Sequence, residues 1–460
     1  MISLERWPKV RELREKLNSK AKAEKKYRFY LLYDKVFRKD FLEAAYAQCR
    51  ANGGAPGIDS KTFEEIEEYG RERYLAELEE ELKDRRYEPQ PVRRVLIPKP
   101  GQPGKYRPLG IPTIRDRVVQ QAVKLLLEPI FEADFTDNAY GYRAGKSAHD
   151  AIEDVATNLR SGYTEIVDAD LSKYFDTIPH RELMCSVERR IADPKVLWLI
   201  RRWLKVPVHE TNKNGKIVIT GGKHTKQGTP QGGVISPLLA NIYFRRFLVA
   251  WTKFGLDRKF NSRIINYADD FVILTRKHAQ PALQTAKCIL ESIGLTLNTK
   301  KTRTCEVWKE SFTFLGYTFG VQYSWGGRRY LGKAPADKGV EKYRETVRQL
   351  TASDQTSQAP QTVAGNLNCV TRGYWNYFSL GTTVQLRHDL DDYLRERTMI
   401  WAKRKYKRPR KRQGEKCASG KVVRQRVEAV LAMLVHGRDV PRAHHSREAL
   451  TRGASAACLT

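Results

Sequence analysis

Two aspartates stand side by side in the segment Ile264-Ile265-Asn266-Tyr267-Ala268-Asp269-Asp270-Phe271-Val272-Ile273-Leu274. Apolar runs on both sides of a short polar centre predict a β-hairpin with carboxylates at its tip. Adjacent anions repel, and one takes up a proton unless a cation lies between them. Hard carboxylate oxygens suit Mg²⁺ in that role. A solvated Asp-Asp turn would have the same local sequence, so the pair alone decides nothing. A second segment, Ile166-Val167-Asp168-Ala169-Asp170-Leu171-Ser172-Lys173-Tyr174-Phe175-Asp176, changes the balance. Period two puts Asp168 and Asp170 on one face of a strand. Asp170 precedes Asp269 by 99 residues, so a fold must bring them together. One of Asp168 and Asp170 can then point toward the hairpin tip, and three carboxylates around two Mg²⁺ ions about 4 Å apart would suit in-line phosphoryl transfer. One ion would activate an attacking hydroxyl and the other would hold a leaving pyrophosphate.

The chain that must position these groups has 460 residues and can bury a core, with 41% hydrophobic and 10% aromatic residues. At roughly 150 residues per domain, about three structural units are expected. Lys and Arg outnumber Asp and Glu by 83 to 53, a net charge of +30. Such a balance points to nucleic acid first and an anionic surface second. The seven cysteines are scattered, odd in number and never spaced Cys-x-x-Cys, which argues against a disulfide scaffold or structural zinc. Neither a signal peptide nor an 18-residue apolar run is present, so the expectation is a cytoplasmic bacterial protein with no membrane partner.

Lys-, Arg- and Glu-rich helical patterns fill the first 85 residues, broken by the loop Gly53-Gly54-Ala55-Pro56-Gly57-Ile58-Asp59. Val92–Ile97 and Leu109–Ile111 look like a strand pair, and Val118–Phe131 returns to helical spacing. Residues 164–178 and 263–275 look strand-like, and Ala279–Ile293 looks helical. Residues 335–400 are mostly helical, with turn signals at Ser353–Pro360, and periodicity is weak in the last forty-odd residues. Irregularly interleaved strands and helices followed by late helices predict an α+β protein.

Tyr267-Ala268-Asp269-Asp270 with Asp170 upstream resembles the catalytic core of reverse transcriptases, and most closely those encoded by bacterial group II introns. The resemblance covers roughly residues 40–405 as an ordered motif series. Asn52–Asp59 resembles the N-terminal extension of that branch. Ile97-Pro98-Lys99-Pro100 and Tyr106-Arg107-Pro108-Leu109-Gly110-Ile111-Pro112 resemble the fingers. Tyr140–Asp150, Gly228–Asn241, Gly294-Leu295-Thr296-Leu297-Asn298 with Lys301-Thr302, and Phe314-Leu315-Gly316-Tyr317 follow in order. Asn366-Leu367-Asn368 and Arg372–Phe378 resemble the thumb, or maturase domain.

The resemblance implies a right-hand polymerase fold: a palm with an antiparallel sheet plus helices, mixed fingers and a helical thumb/maturase domain. The expected segments are 1–85 (extension and start of fingers), 86–165 (fingers with first palm elements), 166–330 (palm), 331–416 (thumb/maturase with a basic end) and 417–460 (an atypical tail). It further implies RNA-directed DNA polymerase activity with a maturase role in intron splicing and mobility. Structured intron RNA, an RNA template with a DNA primer, deoxynucleoside triphosphates and target DNA would be the partners. By the same resemblance Asp170 and Asp269 ligate both Mg²⁺ ions, the Leu171 carbonyl adds an oxygen and Asp270 is more peripheral. Phe175 matches the steric gate against a ribose 2′-hydroxyl. Lys99 and Arg107 match the triphosphate clamp, Gln231 a residue under the nucleotide, and Lys301 a neighbour of the active site or primer end.

The stretch Lys403-Arg404-Lys405-Tyr406-Lys407-Arg408-Pro409-Arg410-Lys411-Arg412 carries eight cations in ten residues, and with Arg372 is expected to meet RNA phosphates. Cys417, Cys458 and His444-His445 lack the paired ligands of the endonuclease that many relatives carry, so a nuclease is not expected. Residues 418–460 have some helical character at Val422–Leu434, then become small and polar, and read as either a divergent DNA-binding segment or a decayed terminus. Two other functions remain open at this stage: a domesticated reverse transcriptase in host defence, and an RNA-binding splicing cofactor with an idle polymerase.

Overall fold

A computed structural model describes residues 4–98, 104, 106–211, 216–406 and 420–440. Mixed α+β structure is present, in two compact units that divide between Cys305 and Glu306.

The first unit is built around the helix Ile114–Glu132, buried along nearly its whole length. Thr113 caps it by accepting from the Asp116 amide at 3.1 Å. Its polar residues find internal partners: Asp116 accepts from the Tyr87 hydroxyl at 2.7 Å, and Glu128 pairs with Arg14 at 2.8 Å. The loop after Asn52 breaks the N-terminal helices as the glycines require. Strands β1 (Val92–Pro98) and β2 (Tyr106–Ile111) pair antiparallel. Two strands absent from the sequence expectation, β4 (Pro207–Thr211) and β5 (Ile217–Gly221), extend that sheet to the order β2-β1-β4-β5, with β4 parallel to β1.

The second sheet has the order β6-β7-β3-β8, from β3 (Glu165–Asp170), β6 (Ser262–Tyr267), β7 (Asp270–Thr275) and β8 (Arg303–Glu306). Beneath it the helix Ser236–Lys253 sends Phe244 and Phe247 against Phe271 of β7, with ring centroids 5.6 and 5.4 Å apart. One expectation is corrected here. The strand read over 164–178 ends at Asp170, because Lys173 takes a left-handed φ of 49° and Tyr174–Thr177 then forms a helical turn.

In the second unit, β9 (Phe312–Phe314), β10 (Tyr317–Tyr323) and β11 (Arg329–Pro335) form an antiparallel sheet in the order β11-β10-β9. β11 runs across residues 330 and 331, where palm was expected to give way to thumb. The helices Asp337–Leu350, Pro360–Tyr377 and Val384–Lys405 follow, enclosing Trp375 and Trp401 completely. The tail is not featureless. The helix Gly420–Ala432 and the segment to Val440 bury Val427, Val430, Leu434 and Val440. Asn368 clips this segment by donating to the Met433 carbonyl at 2.8 Å and accepting from the Val435 amide at 2.7 Å. Among the described residues no helix is long and apolar enough to cross a membrane.

Candidate active site

The β6–β7 hairpin turns in two residues: Tyr267 pairs with Asp270, leaving Ala268 and Asp269 as the turn. Ala268 sits at φ 58°, a left-handed conformation that two-residue hairpins need and that most side chains resist. The buried Asn266 amide holds it from inside, donating to the carbonyls of Ala268 at 2.8 Å and Asp270 at 3.4 Å. From outside, Gly141 approaches so closely that a Cβ there would collide with the Ala268 amide nitrogen. Gly141 is itself fixed by Asn241, whose side chain donates to the Gly141 carbonyl at 2.7 Å.

β3 brings in the third carboxylate. Its ladder with β7 ends on the pair Asp170–Asp270, and directly opposed residues share a face of the sheet. Burial first, then repulsion from Asp269 and Asp170, pushes the Asp270 carboxyl up to about 7, although the residue keeps a solvent-facing side. Burial also pushes Asp168 up to about 6, against the pull of Arg303, whose Nε lies 3.7 Å from its carboxylate. Lys301 reaches Asp170 from the other side, with Nζ 3.2 Å from Oδ1 and 3.1 Å from Oδ2. Asn298 donates its side-chain amide to Asp170 Oδ2 at 3.0 Å and its backbone amide to the Asp170 carbonyl at 2.8 Å.

Three clustered carboxylates offer the hard oxygen donors that suit a divalent cation. The shell is not preassembled. Among the described residues no three His, Cys, Asp or Glu side chains form a metal-holding group, and Lys301 is a cation that Asp170 already meets.

The other expected residues distribute around this centre. Phe175 is buried in the Tyr174–Thr177 turn, its ring edge-to-face with Tyr142 at 6.5 Å. Tyr142, at φ 57°, is half exposed; burial and Asp269 raise its phenol, and Arg107 opposes them. Arg107 thus acts on the same locality from its exposed place on β2. Gln231 reaches the Asp176 carboxylate with its side-chain amide at 3.3 and 3.4 Å, while its carbonyl accepts from the Gly110 amide at 2.5 Å. Gly232, at φ 108°, is needed because its backbone lies against the Gly110 carbonyl. Leu171 buries its side chain and bridges to Leu297. The two bonds flanking that bridge run from Ser172 and Asn298 and do not use the Leu171 carbonyl. Lys99 lies outside the described residues.

Sequence reasoning assigned no role to Asn298, Asn266 or Tyr142, although all three lie within quoted motifs. Arg143 carries a different job from its motif neighbours. It is buried, grips Glu132 with Nη2 at 2.6 Å and donates through Nη1 to the carbonyls of Thr136 and Ala139 at 2.6 Å each. In the second unit Arg372 is exposed while Trp375 is enclosed beneath the Arg387 guanidinium at 4.6 Å. Lys403 and Arg404 are exposed. Lys405 turns inward, donating to the carbonyls of Thr356 at 2.8 Å and Gln358 at 2.7 Å. Lys407 and Arg408 lie outside the described residues.

Residues 97–319 match the family described as reverse transcriptase (RNA-dependent DNA polymerase), and residues 340–418 match the maturase-specific domain of group II introns. Protein YkfC of Escherichia coli (strain K12) is 34% identical over 372 residues, spanning 72% of this chain and 93% of that protein. The group II intron-encoded protein LtrA of Lactococcus lactis subsp. cremoris is 36% identical over 240 residues, 51% of this chain and 38% of LtrA. A 91 kDa protein in the cob intron of Schizosaccharomyces pombe is 26% identical over 443 residues, 79% of this chain and 53% of that protein. The polymerase motifs and the maturase domain thus occur in one chain, in order. The chain belongs to the family of group II intron-encoded reverse transcriptases and maturases. Its activity is that of an RNA-directed DNA polymerase, and its partners are, in general terms, intron RNA and a primed template.

Proposed function

We propose that the chain copies RNA into DNA by adding deoxynucleotides to a primer 3′-hydroxyl at the Asp170, Asp269 and Asp270 cluster, and that it binds its own structured intron RNA as a maturase. The observation that carries the first part is the register of β3 on β7, which sets Asp170 opposite Asp270 beside the gripped turn at Asp269. In this reading the sheet β6-β7-β3-β8 is the palm, β1 and β2 belong to the fingers, and the helices after β11 form the thumb.

Asp170, Asp269, the Leu171 carbonyl and, more peripherally, Asp270 would hold two Mg²⁺ ions. When bound, such ions supply charge neutralisation for the hydroxyl and pyrophosphate oxygens. The chain does the rest. Asn298 fixes the Asp170 rotamer, so the carboxylate keeps one orientation. Phe175, backed by Tyr142, fills the space a 2′-hydroxyl would need. Gln231, held by Gly110 and Asp176, lies where a nucleotide sugar would rest. Arg107, with Lys99, neutralises the triphosphate. Lys301, paired with Asp170 at 3.1 Å, would be within reach of the reacting phosphates. Arg372, Lys403 and Arg404, followed by Lys407 and Arg408, meet RNA phosphates, while Lys405 anchors the segment that carries them. Target DNA is a further partner in this reading.

Primer extension tests the reading. Purified protein given oligo(dT)-primed RNA, deoxynucleotides and Mg²⁺ extends the primer, and Asp269→Ala reduces extension to background. Equal extension by both proteins would overturn the assignment of the cluster. The maturase-specific match over residues 340–418 favours an intron partner over a host-defence role. An idle polymerase would have no use for three carboxylates held together at a cost in repulsion.

A further inference from the structure

One aromatic side chain stands wholly in water. Trp325, at the tip of the β10–β11 hairpin, is fully exposed, an arrangement uncommon for the largest apolar side chain. The tip that carries it is well formed. Tyr323 pairs with Arg329, the Ser324 amide donates to the Arg328 carbonyl at 2.9 Å, and the Gly327 amide donates to the Ser324 carbonyl at 2.9 Å. The Arg328 amide donates to the Ser324 hydroxyl at 3.1 Å, and Gly327 takes φ 75° to close the loop. Nothing lies within 4 Å of where a Cβ would stand on Gly326 or Gly327, so both faces of the loop are open.

Further exposed aromatic residues lie on the Trp325 hairpin or against it, where Arg329 donates to the Trp308 carbonyl at 3.5 Å. Tyr323 is 65% exposed and Trp308 39% exposed. The Arg329 guanidinium lies over the Trp308 ring at 5.8 Å. From Ser311 to Ala336 the sequence has no acidic residue, and Arg328 and Arg329 follow the tip directly. Two acidic residues flank Trp308 at equal sequence distance, Glu306, which pairs with Lys309 at 2.6 Å, and Glu310. Flat π-faces beside guanidinium groups are the equipment for stacking unpaired bases and neutralising their phosphates. A protein partner would be served by an apolar patch. Here the Arg329 guanidinium lies over the Trp308 ring and Arg328 follows the tip, so the charge complements a polyanion.

We infer that the β10–β11 tip binds unpaired RNA nucleotides, with Trp325 stacking on a base and Arg328 and Arg329 contacting the flanking phosphates. This surface rests on the reading that the chain handles RNA, and it adds a contact separate from the polymerase cluster and from the basic run after Trp401. Its preference is for single-stranded segments, because a paired base has no free face to offer.

Binding of the full chain to three probes tests it: a labelled single-stranded RNA of mixed sequence, a blunt RNA duplex of equal length, and an oligo(dT)-primed RNA. Trp325→Ala weakens single-stranded RNA binding by about 10-fold or more and leaves duplex binding unchanged, whereas Trp325→Phe keeps most of the affinity. Arg328→Gln with Arg329→Gln lowers the slope of log affinity against log salt by roughly 1 to 2, whereas Trp325→Ala leaves it unchanged. Melting temperature and primer extension report that the variants are folded and that the polymerase reading stands by itself. Equal binding of single-stranded RNA by wild type and Trp325→Ala would overturn the inference even with extension intact. So would a change in oligomeric state on Trp325→Ala, which would make the ring a protein contact.

Discussion

Asn298 holds Asp170 at two points, its backbone amide on the carbonyl at 2.8 Å and its side-chain amide on Oδ2 at 3.0 Å. The second contact orients a carboxylate that must meet a metal, and partners of this kind typically contribute 10–100-fold. Asn298→Ala is therefore expected to lower single-turnover extension by about 10–100-fold and to raise the Mg²⁺ concentration needed for half-maximal rate. Asn298→Asp does worse, since it adds a like charge. An unchanged Mg²⁺ dependence in both variants would rule out this orienting role.

The contact between Phe175 and Tyr142 predicts sugar selection. Phe175→Val opens the space that the ring fills and raises ribonucleotide use relative to deoxynucleotide by on the order of 10²-fold, read as a ratio of kcat/KM. Tyr142→Ala removes the ring's backing and moves the ratio in the same direction by less. Unaltered discrimination in Phe175→Val would sink the gate.

Gly141 has no room for a methyl group against the Ala268 amide. Gly141→Ala must push the turn carrying Asp269, at a cost of about 1–3 kcal/mol. Extension falls steeply although every charged residue is intact. Chemical denaturation together with an extension assay would show both effects, and normal activity would mean that the turn can shift freely.

Asp116 gives a pH dependence away from the site. It accepts from the Tyr87 hydroxyl at 2.7 Å, the Thr113 hydroxyl at 2.8 Å and the Gln90 amide at 3.1 Å, yet burial outweighs these bonds and raises its carboxyl above the ordinary value. The folded state thus holds this proton more tightly than the unfolded chain does. The stability it contributes is complete below the ordinary carboxylate value and is lost as pH rises through the raised folded value. Asp116→Asn cannot ionise. It starts about 1–3 kcal/mol less stable from lost acceptors, and its deficit narrows with rising pH across that window. Urea unfolding of both proteins over a pH series measures this, and a constant deficit would contradict it.

The hairpin at Asp269 was legible in the sequence because β6 and β7 are local, apolar and joined by a turn of two residues. Asp170 was legible through alternation, but the end of its strand was not. It is set by the last rung with Asp270 and by the backbone of Lys173, neither of which leaves a compositional trace. β4 went unseen since His209, Glu210 and Thr211 do not look like a strand, and its partner β1 lies more than a hundred residues earlier. Arg143 and Lys405 show a further limit. A cation within a motif or a basic run looks the same whether it meets phosphate or backbone carbonyls. In the tail, the helical pattern over Val422–Leu434 was legible but its packing was not, because two of its anchors, Asn368 and Asp391, are polar residues in earlier helices.

Arg387 and Asp391 both engage Gly437: the guanidinium donates to its carbonyl and the carboxylate accepts its amide at 2.6 Å, over the enclosed Trp375. During synthesis, those groups emerge some fifty residues before the glycine they bind. The core around Trp375 therefore stays open on the ribosome until Val440 has left the exit tunnel, while the first unit's residues up to Cys305 are available much earlier. A ribosome halted between these points would hold a chain whose first unit can close while the core around Trp375 cannot, a window in which premature truncation or slow translation leaves that core without its last wall.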